Sequence, residues 1–117
     1  MTESKRVLVV EDELMVAMGL EMALADAGYE IAGPFGRLEQ ALEAAATEDV
    51  DCALLDVNVR GADVYPVADI LAARRIPFAF VTGYGRNSLP PGRATATVLA
   101  KPFKMENLLA VVRSMLG

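Results

Sequence analysis

Five polar residues stand at the ends of short apolar runs along this chain. Glu11 and Asp12 follow Val7–Val10, Asp56 follows Cys52–Leu55, Thr82 closes Phe78–Thr82, and Lys101 follows Thr97–Ala100. If those runs lie side by side, three carboxylates, a hydroxyl and an ammonium meet in one small region. Two unit charges about 4 Å apart repel by about 4 kcal/mol at an effective dielectric of about 20. Three ionised carboxylates therefore need a proton or a cation among them. All-oxygen ligands favour a hard cation, and a few carboxylates plus water is how Mg²⁺ is usually held. A carboxylate is also a competent nucleophile toward phosphorus and forms an aspartyl phosphate. Lys101 and the cation would then neutralise the equatorial oxygens of the transferred group, while Thr82 donates a hydrogen bond.

Each residue has a plainer reading. Glu11 and Asp12 could cap the helix that follows them. Asp56 could be a turn former, Thr82 a turn hydroxyl before Gly83, and Lys101 a solvated surface cation. Matched polar residues at four separate strand ends argue instead for one site. The rest of the composition narrows the chemistry. Histidine is absent, which excludes Ser–His and Cys–His nucleophile pairs and most zinc sites. The single cysteine, Cys52, lies in an apolar run and reads as a buried strand thiol. A net charge of −5 argues against nucleic acid as a partner. No apolar run approaches the roughly 20 residues of a membrane span, and the polar start MTESKR is unlike a signal peptide. These features fit a reducing, cytoplasmic setting.

The elements that must position these groups alternate. Val7–Val10 reads as a strand and Glu13 to Ala27 as a helix closed by Gly28. Tyr29–Ala32 is a second strand stopped by Gly33–Pro34, and Leu38 to Thr47 is an alanine-rich helix. Cys52–Leu55 is the third strand, followed by a loop through Gly61 and a helix over about Val64 to Arg75. Pro66 fits that helix only in its first turn. Phe78–Thr82 and Thr97–Ala100 are the fourth and fifth strands, and Met105 to Leu116 is the last helix. The intervening Asn87-Ser-Leu-Pro-Pro-Gly is poor helix material, so a fourth helix there is expected to be short or irregular. Such alternation predicts a doubly wound α/β fold with a parallel sheet, whose ligands bind where strand order reverses. At 117 residues we expect one domain over 1–117, with no separate output domain.

The runs VLVVEDE, LLDVN around Asp56, VTGY, and KPF at 101–103 together resemble the signature blocks of bacterial response-regulator receiver domains, essentially end to end. The resemblance implies a flavodoxin-like (βα)5 fold with strand order 2-1-3-4-5 and a part in a two-component phosphorelay. It implies that Asp56 accepts the phosphoryl group and that Glu11, Asp12 and Asp56 hold Mg²⁺ with the Asn58 backbone carbonyl. Thr82 and Lys101 then contact the phosphoryl group, and the Lys101–Pro102 peptide is cis. The partners implied are a sensor histidine kinase or a histidine phosphotransfer protein, with a downstream protein target or a role as phosphate sink left open. Such a protein is not a classical enzyme, although it catalyses its own Mg²⁺-dependent phosphorylation and dephosphorylation.

Departures from the family pattern matter as well. Arg60 and Val64 stand where most receivers carry proline and glycine, and Val98 replaces the usual aromatic switch residue. PFAFVTGYG at 77–85 is similar to the PFxFATGY variant of single-domain receivers common in alphaproteobacteria, with Val81 in place of the second alanine. Without the aromatic ring, switching is expected to run through Thr82 and Tyr84 and to order the segment from Arg86 to Ala96. Two other readings compete. A haloacid-dehalogenase-type phosphatase needs Asp-x-Asp after the first strand, and a pseudo-receiver would bind proteins without the intact acids. Finally, the first helix has two apolar faces. Val16, Leu20, Ala23, Leu24 and Ala27 form one stripe, whereas Leu14, Met15, Met18 and Met22 lie on another side. That second face either docks the phosphodonor partner or packs on the last helix around Leu109 and Val112.

Overall fold

The computed structural model describes residues 4–83, 89–90 and 96–117. In chain order its elements are β1 (Arg6–Val10), α1 (Leu14–Asp26), β2 (Glu30–Phe35), α2 (Leu38–Thr47), β3 (Cys52–Asp56), β4 (Asn58–Val59), β5 (Ala62–Asp63), α3 (Tyr65–Ala73), β6 (Phe78–Thr82), β7 (Val98–Ala100) and α4 (Met105–Leu116). The five longer strands run parallel in the order β2-β1-β3-β6-β7. With the short strands β4 and β5 set aside, this is the expected 2-1-3-4-5 order. Among the described residues no helix is long and apolar enough to cross a membrane.

Strand side chains alternate between two covered faces. Leu8, Val10, Leu55 and Phe80 pack with Ala41, Ala45, Val67 and Leu71 from α2 and α3. Val7, Val9, Leu54 and Val81 pack on the other face with Leu20, Leu24, Leu108 and Val112 from α1 and α4. Burial on both sides is why β1 and β3 read as unbroken apolar runs rather than alternating ones. Cys52 is buried within β3, where burial and then the charge of Asp51 push its thiol up to about 12, so it stays an unreactive packing group.

Two loops differ from expectation. β2 does not stop at Ala32 but continues through Gly33 and Pro34 to Phe35, with a register shift opposite Leu8 to Val10. The strand tolerates Pro34 because it lies at the sheet edge. Gly33 takes φ +109, and a Cβ there would sit 2.7 Å from the Val9 carbonyl oxygen and 2.8 Å from the Phe35 nitrogen. Gly33→Ala is therefore expected to destabilise the fold by roughly 1–3 kcal/mol, measured by urea unfolding. An unchanged midpoint would show that this edge relaxes freely.

The second difference follows Asp56. The expected loop contains an antiparallel hairpin pairing Asn58 with Asp63 and Val59 with Ala62. Arg60 and Gly61 make its turn at φ 52 and 82, the positive values a two-residue hairpin turn of this type requires. Arg-Gly is not the usual Asn-Gly or Asp-Gly signal for it, so the hairpin was not legible. α3 begins at Tyr65 with Pro66 in its first turn, as its missing N–H demands. Residues 84–88 and 91–95, which include Tyr84 and most of the expected fourth helix and switch segment, lie outside the described residues.

Candidate functional site

The site forms because the parallel registers align the carboxyl ends of four strands. Val10 pairs with Leu55, so the next residues, Glu11 and Asp56, emerge side by side. Asp56 itself pairs with Val81, and Thr82 pairs with Ala100, which brings Thr82 and Lys101 to the same edge. The Lys101 N–H donates to the Thr82 carbonyl at 2.8 Å, and the Lys101–Pro102 peptide is cis. Between β1 and β3 the strand order reverses, the position at which open α/β sheets bind ligands. The resulting cleft of about 780 Å³ is lined by Asp12, Asp56, Asn58, Thr82 and Lys101, and also by Glu13, Asp63 and Tyr65.

One carboxylate oxygen from each of Glu11, Asp12 and Asp56 lies within 4.8 Å of the others. Glu11, Asp56 and Thr82 are buried, and Asp12 is more open. Lys101 Nζ stands 3.0 Å from Glu11 Oε2, 3.5 Å from Asp56 Oδ2 and 3.7 Å from Glu13 Oε1. Glu11 Oε2 is fully buried, and the Lys101 ammonium is its partner. Backbone donors reach one further oxygen of each acid: Glu13 N–H to Glu11 Oε1 at 3.1 Å, Asn58 N–H to Asp56 Oδ1 at 3.4 Å, and Arg60 N–H to Asp12 Oδ2 at 3.0 Å. Arg60 stands where the family pattern has proline, and neither that N–H nor φ 52 is open to proline.

The electrostatics follow from crowding acids out of water. Burial raises the Asp56 carboxyl to about 7, and the neighbouring Glu11 adds to this, while Lys101 and the Asn58 N–H act in the opposite direction. For Lys101, burial works to lower the ammonium, but Glu11, Asp56 and Glu13 outweigh it and hold it above its ordinary value. A single ammonium shared among three acids leaves the cluster short of positive charge. Three hard oxygen donors within 4.8 Å of one another, with Glu11 Oε2 fully buried beside a single ammonium, fit a small divalent cation.

A response regulator receiver domain model matches residues 7–113. The chain belongs to that family. Receivers are phosphoryl-accepting signalling domains rather than classical enzymes, which sets aside the phosphatase reading. The transcriptional regulatory protein PdtaR of Mycobacterium tuberculosis is 31% identical over 112 residues, covering 92% of this chain and 55% of PdtaR. This chain thus spans about half the length of that curated relative. The solution structure of SdrG from Sphingomonas melonis Fr1 is 36% identical, with each chain covering 100% of the other, at a TM-score of 0.87. SdrG in its BeF3-activated conformation matches at a TM-score of 0.82. The likeness to SdrG supports the resemblance to the single-domain subfamily. The receiver domain of the sensor histidine kinase PA1611 from Pseudomonas aeruginosa PAO1 is 26% identical over 98% of this chain and 99% of that one, at a TM-score of 0.82. That structure carries a magnesium ion coordinated in the active-site cleft.

On the receiver's first helix, the two apolar faces separate cleanly. Ala17, Leu20, Ala23 and Leu24 are buried, whereas Ala27, expected in that stripe, is exposed beyond the last turn. Leu14, Met15, Met18 and Met22 are 73%, 81%, 46% and 63% exposed. That exposure argues against packing on α4, whose Val112 is buried in the same cluster as Leu20 and Leu24. Val98 is half-buried and packs beside Phe80. Tyr84 lies outside the described residues. Glu13, Asp63 and Tyr65 were not singled out for the cleft from sequence. The third acid of the EDE run was the one available hint, and the other two depend on the unforeseen hairpin.

Proposed function

We propose that this receiver takes a phosphoryl group onto Asp56 from a sensor histidine kinase or histidine phosphotransfer protein and signals or sinks phosphate through its own surface. The carrying observation is the meeting of Glu11, Asp12 and Asp56 within 4.8 Å, with Lys101 Nζ 3.5 Å from Asp56 Oδ2. Glu11, Asp12, Asp56 and the Asn58 backbone carbonyl are the residues to hold Mg²⁺, which when bound supplies positive charge at the transferring group's oxygens. An Asp56 carboxylate oxygen forms the new bond to phosphorus as the bond to the donor nitrogen breaks, and the donor imidazole leaves with that electron pair. Lys101 neutralises charge on the transferred group and Thr82 donates a hydrogen bond to it. Thr82, Tyr84 and Val98 are the residues through which the modified state is read.

The chain has no histidine, so the donor must be presented by a partner. The exposed Leu14, Met15, Met18 and Met22 face beside the cleft suits such a partner's apolar helix, since methionine adapts its shape at little cost. Incubation with acetyl phosphate and Mg²⁺ is expected to add one phosphate to the intact mass. The shift should vanish in Asp56→Asn and when EDTA replaces Mg²⁺. An undiminished shift in Asp56→Asn would place the acceptor elsewhere.

A further inference from the structure

Asp12 and Asp56 come from different strands, yet one small element touches both. The Asn58–Asp63 hairpin donates the Asn58 N–H to Asp56 Oδ1 and the Arg60 N–H to Asp12 Oδ2. Its turn is closed independently of the acids, because the Gly61 N–H donates to Asn58 Oδ1 at 2.9 Å. The root of the hairpin is tied as well, with the Val64 N–H donating to the Val57 carbonyl at 3.0 Å and Val59 and Val64 buried in the core. A turn anchored in this way holds its outward N–H groups at fixed positions. Asp12 is the most open of the three acids, and the Arg60 N–H donates to its carboxylate.

We propose that this hairpin is the positioning element of the metal site, with Arg60 acting through its backbone N–H to hold the Asp12 carboxylate toward Glu11 and Asp56. The proposal rests on reading these acids as the Mg²⁺ ligands. Hydrogen-bonding one oxygen of a carboxylate fixes its plane and leaves the other oxygen for a cation, and such outer partners typically change metal affinity by about 10–100-fold. Arg60 is then a positioning residue whose guanidinium has no part in this role. Any L-residue or glycine that keeps the turn can serve, but proline cannot, because it lacks the N–H and is confined to negative φ.

The experiment is calorimetric titration of Mg²⁺ into wild type, Arg60→Gly and Arg60→Pro, with thermal unfolding of each metal-free protein as a folding control. Arg60→Gly keeps the N–H and accepts φ 52, so its affinity should stay within about twofold of wild type, whereas Arg60→Pro should bind about 10–100-fold more weakly. Unchanged affinity in a folded Arg60→Pro overturns the proposal alone. Equal losses in Arg60→Gly and Arg60→Pro also overturn it, by assigning the effect to the guanidinium. Wild type that binds no Mg²⁺ overturns the metal reading, and this proposal with it. Should Arg60→Pro fail to fold, amide exchange in wild type decides. The Arg60 N–H should be protected without metal, and exchange as fast as an open loop amide overturns the idea.

Discussion

Lys101→Ala is expected to slow acetyl-phosphate labelling of Asp56 by about 10²–10³-fold at saturating Mg²⁺, the usual cost of removing one preorganised electrostatic donor from a transferring group. Lys101 Nζ lies 3.5 Å from Asp56 Oδ2, so it is already placed beside the acceptor before any phosphoryl group arrives. Burial on a folded strand end means that little reorganisation is needed at the moment of transfer. The same variant should lose stability as well, since Glu11 and Asp56 would face each other without the ammonium that now pairs with both. Intact-mass time courses at several Mg²⁺ concentrations separate the two effects. A rate within a few-fold of wild type, in protein shown to be folded and metal-loaded, would remove Lys101 from the transfer step.

Asp56→Asn is expected to stabilise the metal-free protein, and to do so increasingly as pH rises. The Asp56 carboxyl goes from an ordinary 3.8 to about 7 on folding, with burial as the first cause and Glu11 as the second. Between those values the folded chain keeps a proton that the unfolded chain has released. The sign is therefore fixed: the stabilisation from the neutral carboxyl is complete below about pH 4 and is lost as pH climbs through about 7, by on the order of a few kcal/mol. Asparagine keeps the shape and never ionises. Its advantage over wild type should be small near about pH 4.5 and reach roughly 10 °C in Tm near about pH 8 in EDTA. Saturating Mg²⁺ should narrow the gap, because only the wild-type acid cluster gains strongly from the ion. A gap that does not widen with pH would mean that the buried acids are relieved in another way.

The helices and strands were readable because each carries its own period. β3 and β6 are short apolar runs, α2 and α4 repeat at helical spacing, and apart from β2 the expected elements lie within a residue or two of their observed spans. Polar residues at four strand ends were enough to name Glu11, Asp12, Asp56, Thr82 and Lys101, since a doubly wound sheet has one edge at which they can meet. Local pattern was least informative where long-range pairing overrode it. Gly33–Pro34 looked like a stop, yet β1 supplies enough pairing to carry β2 on to Phe35. Arg60–Gly61 has no strong hairpin signal, and the turn forms because Val59 and Val64 on either side are drawn into the core. The two faces of α1 were visible in sequence, but which of them met solvent was not. That depended on which face of α1 joins the cluster of Leu20, Leu24 and Val112 under α4. Residue types and strand ends depend on nearest neighbours along the chain, so they survive in one dimension. The distances that set the Asp56 proton, the Lys101 ion pairs and the Arg60 to Asp12 bond join residues far apart in sequence, and only packing the sheet and its helices brings them to 3–4 Å.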